Sequence, residues 1–424
     1  MKLLLIVFCT LISFGKVFGQ QDTIVIPESD ILNLNTLIEE VQMNNQEIQA
    51  MQHEWDMLEA KVPQASSLDD PTLEYMHDEF PDFNIAEPMK YRLRLMQMFP
   101  FPGKLSSKEA IADIQAEHAH HDHLETINEI IASLKSAYYE LWFTQQSIFL
   151  MQENVRLMRQ FSEIALAKYS VGSANQQDVL KAEVEIAKMN NEIIDLRAKE
   201  IAAKAMLLSL LNRSAQDTLG FAVISEAVAF PYKLDTLEQL ALANRQMLKH
   251  DSLGIVENET MLKLSKQEYL PDFTFGLERI SSPMTEFNGW TISAGITLPF
   301  APWVLGKADS RVQEADLGIK KATATYNASK NMVLAGVREL YAKIKGEQQQ
   351  LESYAKIIIP TARQSLNVSL SLYQNGKTDF LMLIDAFRTL TDLRMEYFMR
   401  RMQFEQAIAG LEQTVGMQIT TTQE

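Results

Sequence analysis

Two short stretches of sequence, each present twice, decide the fold of this chain. Residues 169–172 read YSVG and residues 179–182 read VLKA, and 204 positions later residues 373–376 read YQNG and residues 383–386 read LIDA. In each copy a glycine follows a long run of helix-forming residues, and glycine commonly ends a helix in the left-handed conformation. The pattern therefore predicts one helix–turn–helix in each half of the chain.

The likeness between the two halves continues on the N-terminal side of these stretches. Residues 36–37 recur at 236–237, and the Gly-Lys pair at 103–104 recurs at 306–307. Matches that keep their order while their spacing changes slowly mark an internal duplication. The predicted repeats span about residues 30–215 and 230–416.

Long helices should fill most of each repeat. Residues 104–171 contain no Gly or Pro and are rich in residues that favour helix. The matching segment, 307–373, contains Pro360, which predicts a bend or a break. Return helices are expected near 179–212 and 383–415. Helices of this length bury an apolar stripe only by pairing side by side as coiled coils, so a mainly α fold with a small β part is expected.

Four segments alternate apolar and polar residues as β-strands do, near residues 72–75, 91–95, 273–277 and 290–298. The alternation fits the wall of a membrane β-barrel with aromatic residues at its rims, and it fits a half-buried sheet of a soluble protein as well. Candidate rim residues are Tyr75, Tyr91, Phe99, Trp290 and Trp303.

Four strands are too few to close a barrel, because single-chain barrels begin at about eight strands. The open edges of such a sheet pair readily with strands of another chain. A barrel would therefore need several copies of this chain, and a homotrimer would supply twelve strands.

The N-terminal residues have the pattern of a secretory signal peptide. Lys2 precedes an apolar run at residues 3–14, and cleavage is expected before Gln20. The predicted division is a signal peptide at residues 1–19 and a single mature domain at residues 20–424. Cleavage would remove Cys9, the one cysteine, and would shift the net charge from −16 to −18.

Composition excludes several classes of function. A net charge of −16 argues against nucleic-acid binding, which needs clustered positive charge. One cysteine excludes a disulfide scaffold and a cysteine-based metal site. No nucleophile–base constellation is recognisable, so neither an enzyme nor a cofactor is expected.

The chain resembles the TolC-like outer-membrane efflux protein family. The resemblance rests on the two Tyr-x-x-Gly stretches, on the VLKA and LIDA stretches that follow them, and on IPTARQ at residues 359–364. The resemblance covers about residues 36–416. It implies a homotrimer with a twelve-stranded β-barrel in the lipid of the outer membrane and an α-helical barrel in the periplasm. It also implies that the two helix–turn–helix tips meet a periplasmic adaptor that is linked to an inner-membrane pump.

The function expected from this resemblance is a passive export duct. The Gly-Lys pair at 103–104 resembles the heavy-metal cation branch of the family, and together with the histidines and the 21 methionines it favours metal cations as cargo. The alternatives are a duct for drugs or secreted proteins, a periplasmic coiled-coil scaffold or adaptor, and a periplasmic metal-binding protein.

The resemblance assigns the two tips to adaptor docking, although the same residues would also suit plain turns between helices. The candidate docking residues are Tyr169, Gly172, Ser173, Tyr373, Gly376 and Lys377.

Family members narrow their closed tunnel with carboxylates just inside the second tip. The matching positions here are Met382 and Asp385, and Asp178 takes the corresponding place in the first repeat. Only one of the two second-repeat positions keeps a carboxylate. The alternative for Asp385 is an ion pair with a neighbouring cation such as Arg388, three positions later on the same helix.

A histidine run on the first long helix is a candidate metal site. It contains four of the seven histidines, His118, His120, His121 and His123. Helical spacing places His118, His121 and Asp122 on one face, and His120 and His123 on another. Neutral imidazole binds zinc, copper and nickel ions. The alternative is a solvated helix face without a ligand.

Overall fold

The computed structural model of the chain describes residues 31–77, 91–224, 230–282, 287–299 and 301–419. The predicted signal peptide at residues 1–19 lies outside these ranges. The described residues confirm a mainly helical protein with a small sheet part. None of the described helices has the length and hydropathy of a membrane span.

In the described part of the first half of the chain, three short helices and three strands precede the long helix and its return helix. Its elements are β1 (Ile31–Leu32), α1 (Leu34–Asn44), α2 (Gln46–Glu59), α3 (Val62–Ala65), β2 (Thr72–His77), β3 (Tyr91–Phe99), α4 (Lys104–Ser170), α5 (Gln176–Leu210) and β4 (Phe221–Ala222).

The second half follows nearly the same order. Its elements are α6 (Leu234–Asn244), α7 (Gln246–Gln267), β5 (Phe273–Ser282), β6 (Phe287–Ile296), α8 (Pro302–Ser353), a π-helical turn (Tyr354–Ile358), α9 (Ile359–Gln374) and α10 (Phe380–Val415). The break that Pro360 could cause does not occur, because α8 continues through this π-helical turn into α9. Pro360 lies in the first turn of α9, where its missing N–H is tolerated.

The chain forms two compact units, and each draws residues from both halves. Unit 1 comprises Met1–Glu47, Ile127–Asn244 and Val333–Glu424, and unit 2 comprises Ile48–Thr126 and Arg245–Met332. The long helices α4 and α8 contribute residues to both units.

Unit 2 contains a four-stranded antiparallel sheet in the order β2-β3-β5-β6. The central pair joins the two halves of the chain, since Tyr91 of β3 lies opposite Ser281 of β5, and Phe99 lies opposite Phe273. Strands β2 and β6 each lack a second strand partner among the described residues.

The apolar side chains of this sheet are the exposed ones. In β3, Tyr91, Leu93 and Leu95 are exposed, whereas the alternating Arg92 and Arg94 are partly buried. Arg94 donates to Glu278 of β5 at 3.0 Å. Other exposed apolar side chains of the sheet are Leu73, Tyr75, Phe275, Leu277, Trp290 and Ile292. A soluble sheet has the opposite arrangement, so this face requires lipid or another chain to cover it.

The core of unit 1 forms where α4, α5, α9 and α10 pack together. Met158 and Ala165 of α4 pack in one apolar cluster with Ala182 of α5 and with Phe380 and Leu383 of α10, all completely buried. Alanine at Ala165 and Ala182 allows the helices to approach closely, because a larger side chain would need space that the packed cluster lacks.

Ala165→Leu should destabilise the helix cluster, because added methylenes in a packed core cost about 1–3 kcal/mol. The expected result is a lower apparent unfolding temperature, which circular dichroism at 222 nm measures. Ala167→Leu is the matched control, since Ala167 is exposed two residues away on the same helix. Equal unfolding temperatures for the two variants would contradict the packing described here.

Candidate functional site

The two helix–turn–helix tips are built in the same way. Gly172 and Gly376 have positive φ angles of 73° and 70°, as the sequence predicted. The amide of Gly172 donates to the Tyr169 carbonyl at 2.9 Å, and the amide of Gly376 donates to the Tyr373 carbonyl at 3.0 Å. The next residue of each tip, Ser173 or Lys377, also donates back to a carbonyl of the helix that ends there.

The first residues after the turns differ between the tips. In the second tip, the Asp379 carboxylate accepts from the Met382 amide at 3.0 Å and caps α10. In the first tip, Asn175 occupies the cap position of α5 without a side-chain cap bond. The Met382 side chain, a predicted constriction residue, is 59% exposed in the single chain.

A buried tyrosine joins the two tips. The Tyr373 hydroxyl donates to the Asp178 carboxylate at 3.2 Å, and the Tyr373 side chain is almost completely buried. Burial and the neighbouring Asp178 carboxylate raise the pKa of Tyr373, so the hydroxyl stays protonated and able to donate. Lys168 of the first tip also donates to the Gln374 carbonyl at 3.1 Å and lies over the Tyr373 ring. We call Tyr373, Asp178 and Lys168 the tip lock.

An ion pair links the return helices just inside the tips. Arg388 of α10 donates from Nε to Glu185 of α5 at 2.9 Å and from Nη2 to the other oxygen. Lys188 donates to the same carboxylate at 3.2 Å. Glu185 is buried, and hydrogen bonding to Arg388, more than that to Lys188, lowers its pKa.

This ion pair takes up the partner that sequence spacing offered to Asp385. Arg388, the partner that sequence spacing offered to Asp385, has both of its contacting nitrogens on Glu185. Asp385 is exposed on α10 and acts on Arg388 only through its charge. Asp178, the other predicted constriction carboxylate, accepts the hydrogen bond of Tyr373.

Sequence reasoning missed Glu185, and it offered Arg388 to Asp385 instead of to Glu185. Glu185 and Arg388 lie 13 and 12 positions after the glycines of their tips, so they occupy nearly equivalent places in the two halves. The sequence signal for this ion pair is an acidic residue in one half and a basic residue at nearly the same place in the other. That signal becomes visible only once the two halves are aligned.

The histidine run lies on α4 in unit 2 and is divided between two neighbours. His118 and His121 face α7, where the His118 ring lies 4.2 Å from the His250 ring and His121 Nδ1 lies 2.9 Å from Gln246 Oε1. The other two, His120 and His123, face Trp55 of α2 with ring centroids 4.2 and 6.4 Å away. The two faces are those that helical spacing predicted.

Comparison with known proteins gives a consistent result. The family model described as outer membrane efflux protein matches residues 37–213 and 237–417. The cobalt-zinc-cadmium resistance protein CzcC of Cupriavidus metallidurans is 21% identical over 381 residues, which cover 88% of this chain and 87% of that protein. Nodulation protein T of Rhizobium leguminosarum is 23% identical over 302 residues, which cover 68% of this chain and 62% of that protein.

Solved structures share the fold. The CusC channel matches with a TM-score of 0.79 at 15% identity, covering 92% of this chain and 93% of CusC. The CmeC outer membrane channel of Campylobacter jejuni matches with a TM-score of 0.77 at 13% identity, covering 92% of this chain and 87% of CmeC.

Arg388→Gln should loosen the return helices, because it removes the main partner of a buried carboxylate. We expect faster amide hydrogen exchange in residues 179–192 and 380–394, measured by mass spectrometry. The pKa of Glu185 is lowered in the folded protein, so the pair stabilises the helices above the ordinary glutamate pKa and is lost as the pH falls through the lowered value.

The matched control for this variant is Lys188→Gln. It removes the other partner of the Glu185 carboxylate, and the Lys188 side chain is 64% exposed. An exposed ion pair contributes at most about 1 kcal/mol, so exchange should change little. If both variants exchanged at the same rate, the Glu185–Arg388 pair would not be what holds α5 and α10 together.

Proposed function

Since the chain belongs to the outer membrane efflux protein family, we propose that it is the outer-membrane duct of a tripartite efflux system that exports divalent heavy-metal cations. The family places the protein in the outer membrane with a helical barrel in the periplasm, and its members are channels, not enzymes. Family channels are trimers that work with a periplasmic adaptor and an inner-membrane pump. The match of the family model across both halves of the chain is the observation that carries the assignment.

Two observations support metal cations as the cargo. The relative CzcC, whose name refers to cobalt, zinc and cadmium resistance, is similar over most of both chains. The net charge of −16 would also favour cations in a water-filled conduit. A duct for drugs or proteins is the second candidate, because the toxin and drug export protein A of Aggregatibacter actinomycetemcomitans is 24% identical over 238 residues, 52% of this chain and 50% of that protein.

The proposed trimer follows from the sheet of unit 2. Strands β2 and β6 have open edges within the described part of the chain, and neighbouring strands of the sheet are antiparallel. Strand β6 of one copy can therefore continue the antiparallel order by pairing with β2 of the next. Three copies give a closed barrel of twelve strands, with the exposed apolar face toward lipid.

The remaining parts of the proposed organisation come from the sequence. We assign residues 1–19 to a signal peptide and residues 20–424 to a single efflux domain. This domain contains the two repeats at about 30–215 and 230–416. The recurring order of helices and strands supports this duplication.

We assign adaptor docking to the exposed surface of the tips. Tyr169 is 43% exposed and Val171 is 76% exposed, so apolar surface is available beside Gly172 and Ser173. The second tip contributes Gly376 and Lys377. Tyr373 is buried, and we therefore give it the role of holding the tips together instead of meeting the adaptor.

The proposed constriction is formed by Asp385 with Met382 above the second tip. Both side chains are exposed in the single chain. In a trimer, three Asp385 carboxylates near the axis would repel one another when ionised and would attract cations. Asp178 contributes to this constriction indirectly, by accepting the hydrogen bond of Tyr373 in the tip lock.

The cargo is tested by growth of a strain that lacks this chain. We expect the deletion strain to become sensitive to zinc, cobalt or cadmium, and wild-type protein supplied from a plasmid to restore growth. Dyes, detergents and drugs serve as the comparison. Sensitivity to those compounds with unchanged metal tolerance would contradict the metal cargo and favour the second candidate.

Tyr373→Phe removes the hydroxyl of the tip lock and should loosen the closed state of the duct. The expected result is greater sensitivity to a large hydrophilic antibiotic, measured in cells without the partner pump. Tyr169→Phe is the matched control, because Tyr169 has the equivalent place in the first tip and is exposed. Equal sensitivity of the two strains would show that the hydrogen bond to Asp178 does not restrain the tips.

A further inference from the structure

All seven histidines of the chain belong to unit 2, and two of them meet from different helices. His118 of α4 and His250 of α7 are 132 positions apart in sequence, yet their ring centroids are 4.2 Å apart at an angle of 61°. Contact between two imidazoles places four ring nitrogens in a small volume. Only one member of this pair belongs to the histidine run on α4.

Three carboxylates surround the pair. Glu257 Oε2 lies 3.6 Å from His118 Nε2, and Asp122 Oδ1 lies 3.6 Å from His250 Nε2. Asp251 Oδ1 lies 3.4 Å from His250 Nδ1. Imidazole nitrogens combined with carboxylate oxygens are the donor set of zinc, cobalt, nickel and copper ions.

The state of His118 suits metal binding. Its Nδ1 atom is buried without a hydrogen-bond partner among the described residues. A buried polar atom without a partner is costly, and a bound ion is one way to satisfy it.

The pair is reachable from a groove on unit 2. Both rings line this groove together with Asp251, Gly254 and Met261 of α7. A side chain at Gly254 would contact the His118 ring, since its Cβ would lie 4.0 Å from Cε1. The glycine therefore leaves the wall of the groove open beside the imidazole.

We propose that His118 and His250 bind a divalent transition-metal ion in this groove. No three described His, Cys, Asp or Glu side chains are already arranged to hold an ion. The two imidazoles therefore supply the first ligands, and a carboxylate that rotates inward or water completes the coordination. The proposal concerns binding by the protein itself and does not depend on which cargo the duct carries.

The geometry separates this site from the other face of the histidine run. His120 and His123 contact the Trp55 ring, which offers no metal ligand. His53 of α2 has an 80% exposed side chain and lies 3.6 Å from Asp56. These three histidines provide controls, since unspecific metal binding by any histidine would be reduced by replacing them as well.

The test is copper binding by the full-length trimer, purified without a polyhistidine tag. Electron paramagnetic resonance counts the nitrogens bound to Cu²⁺, and the wild type should bind about one ion per protomer with two imidazole nitrogens. His118→Ala and His250→Ala should each lose one nitrogen, and each should bind Zn²⁺ at least about tenfold more weakly, since even partners outside the ligand shell contribute that much. Helical circular dichroism and trimer size check that each variant folds.

The controls decide between this pair and the other histidines. His53→Ala, His120→Ala and His123→Ala should keep the wild-type spectrum and the wild-type Zn²⁺ affinity. The proposal is overturned if His118→Ala and His250→Ala bind as the wild type does, or if the wild-type spectrum shows fewer than two nitrogens. Because these measurements use purified protein, their outcome is separate from that of the metal growth assay.

Discussion

The structure depends on how its four-stranded sheet is covered, because the apolar side chains of this sheet are exposed and both of its edges are open in the described part of the chain. In water such a sheet would expose Tyr75, Leu93 and Ile292 and leave backbone groups on β2 and β6 unpaired. In the proposed trimer, lipid on the apolar face and strands of neighbouring copies at the edges would remove both costs. The partly buried Arg94–Glu278 pair lies on the opposite face, toward the side that water would occupy in a barrel.

The helices of unit 1 obey a different constraint, because their polar contacts connect the two halves of the chain. The tip lock joins Tyr373 to Asp178, and Arg388 joins Glu185 on the return helices. Each contact pairs a residue from one copy with a residue from the other. These polar contacts therefore hold the two halves of the chain together within unit 1.

Local features of this fold could be predicted from sequence, whereas contacts between distant segments could not. The left-handed turns followed from Gly172 and Gly376, since glycine alone adopts that conformation without strain. Strand alternation was visible in β3, but the same pattern suits a soluble sheet, and only the exposure of Leu93 and Leu95 separates the two possibilities. Pro360 predicts a bend or a break, whereas the helix continues through a π-helical turn that lies just before this residue.

The candidate sites show the same limit. The histidine run could be assigned to two helix faces by spacing alone, but His250 lies 132 positions from His118 and has no local signal. Tyr373 was correctly placed in a tip, although its burial and its hydrogen bond to Asp178 were not foreseeable. Sequence therefore identified the helix that carries the histidines and the turns of the two tips. The partner of each side chain could be identified only from the packed structure.

Cross-linking between copies tests the open-edged sheet most directly. The one cysteine, Cys9, lies in the predicted signal peptide, so background should be low. Tyr75→Cys on β2 would be combined in turn with Trp290→Cys, Ile292→Cys or Ala294→Cys on β6, all in outer membranes. We expect at least one combination to form dimers and trimers on oxidation, while the single variants do not. Absence of such products from every correctly localised combination would contradict closure of the sheet by neighbouring copies.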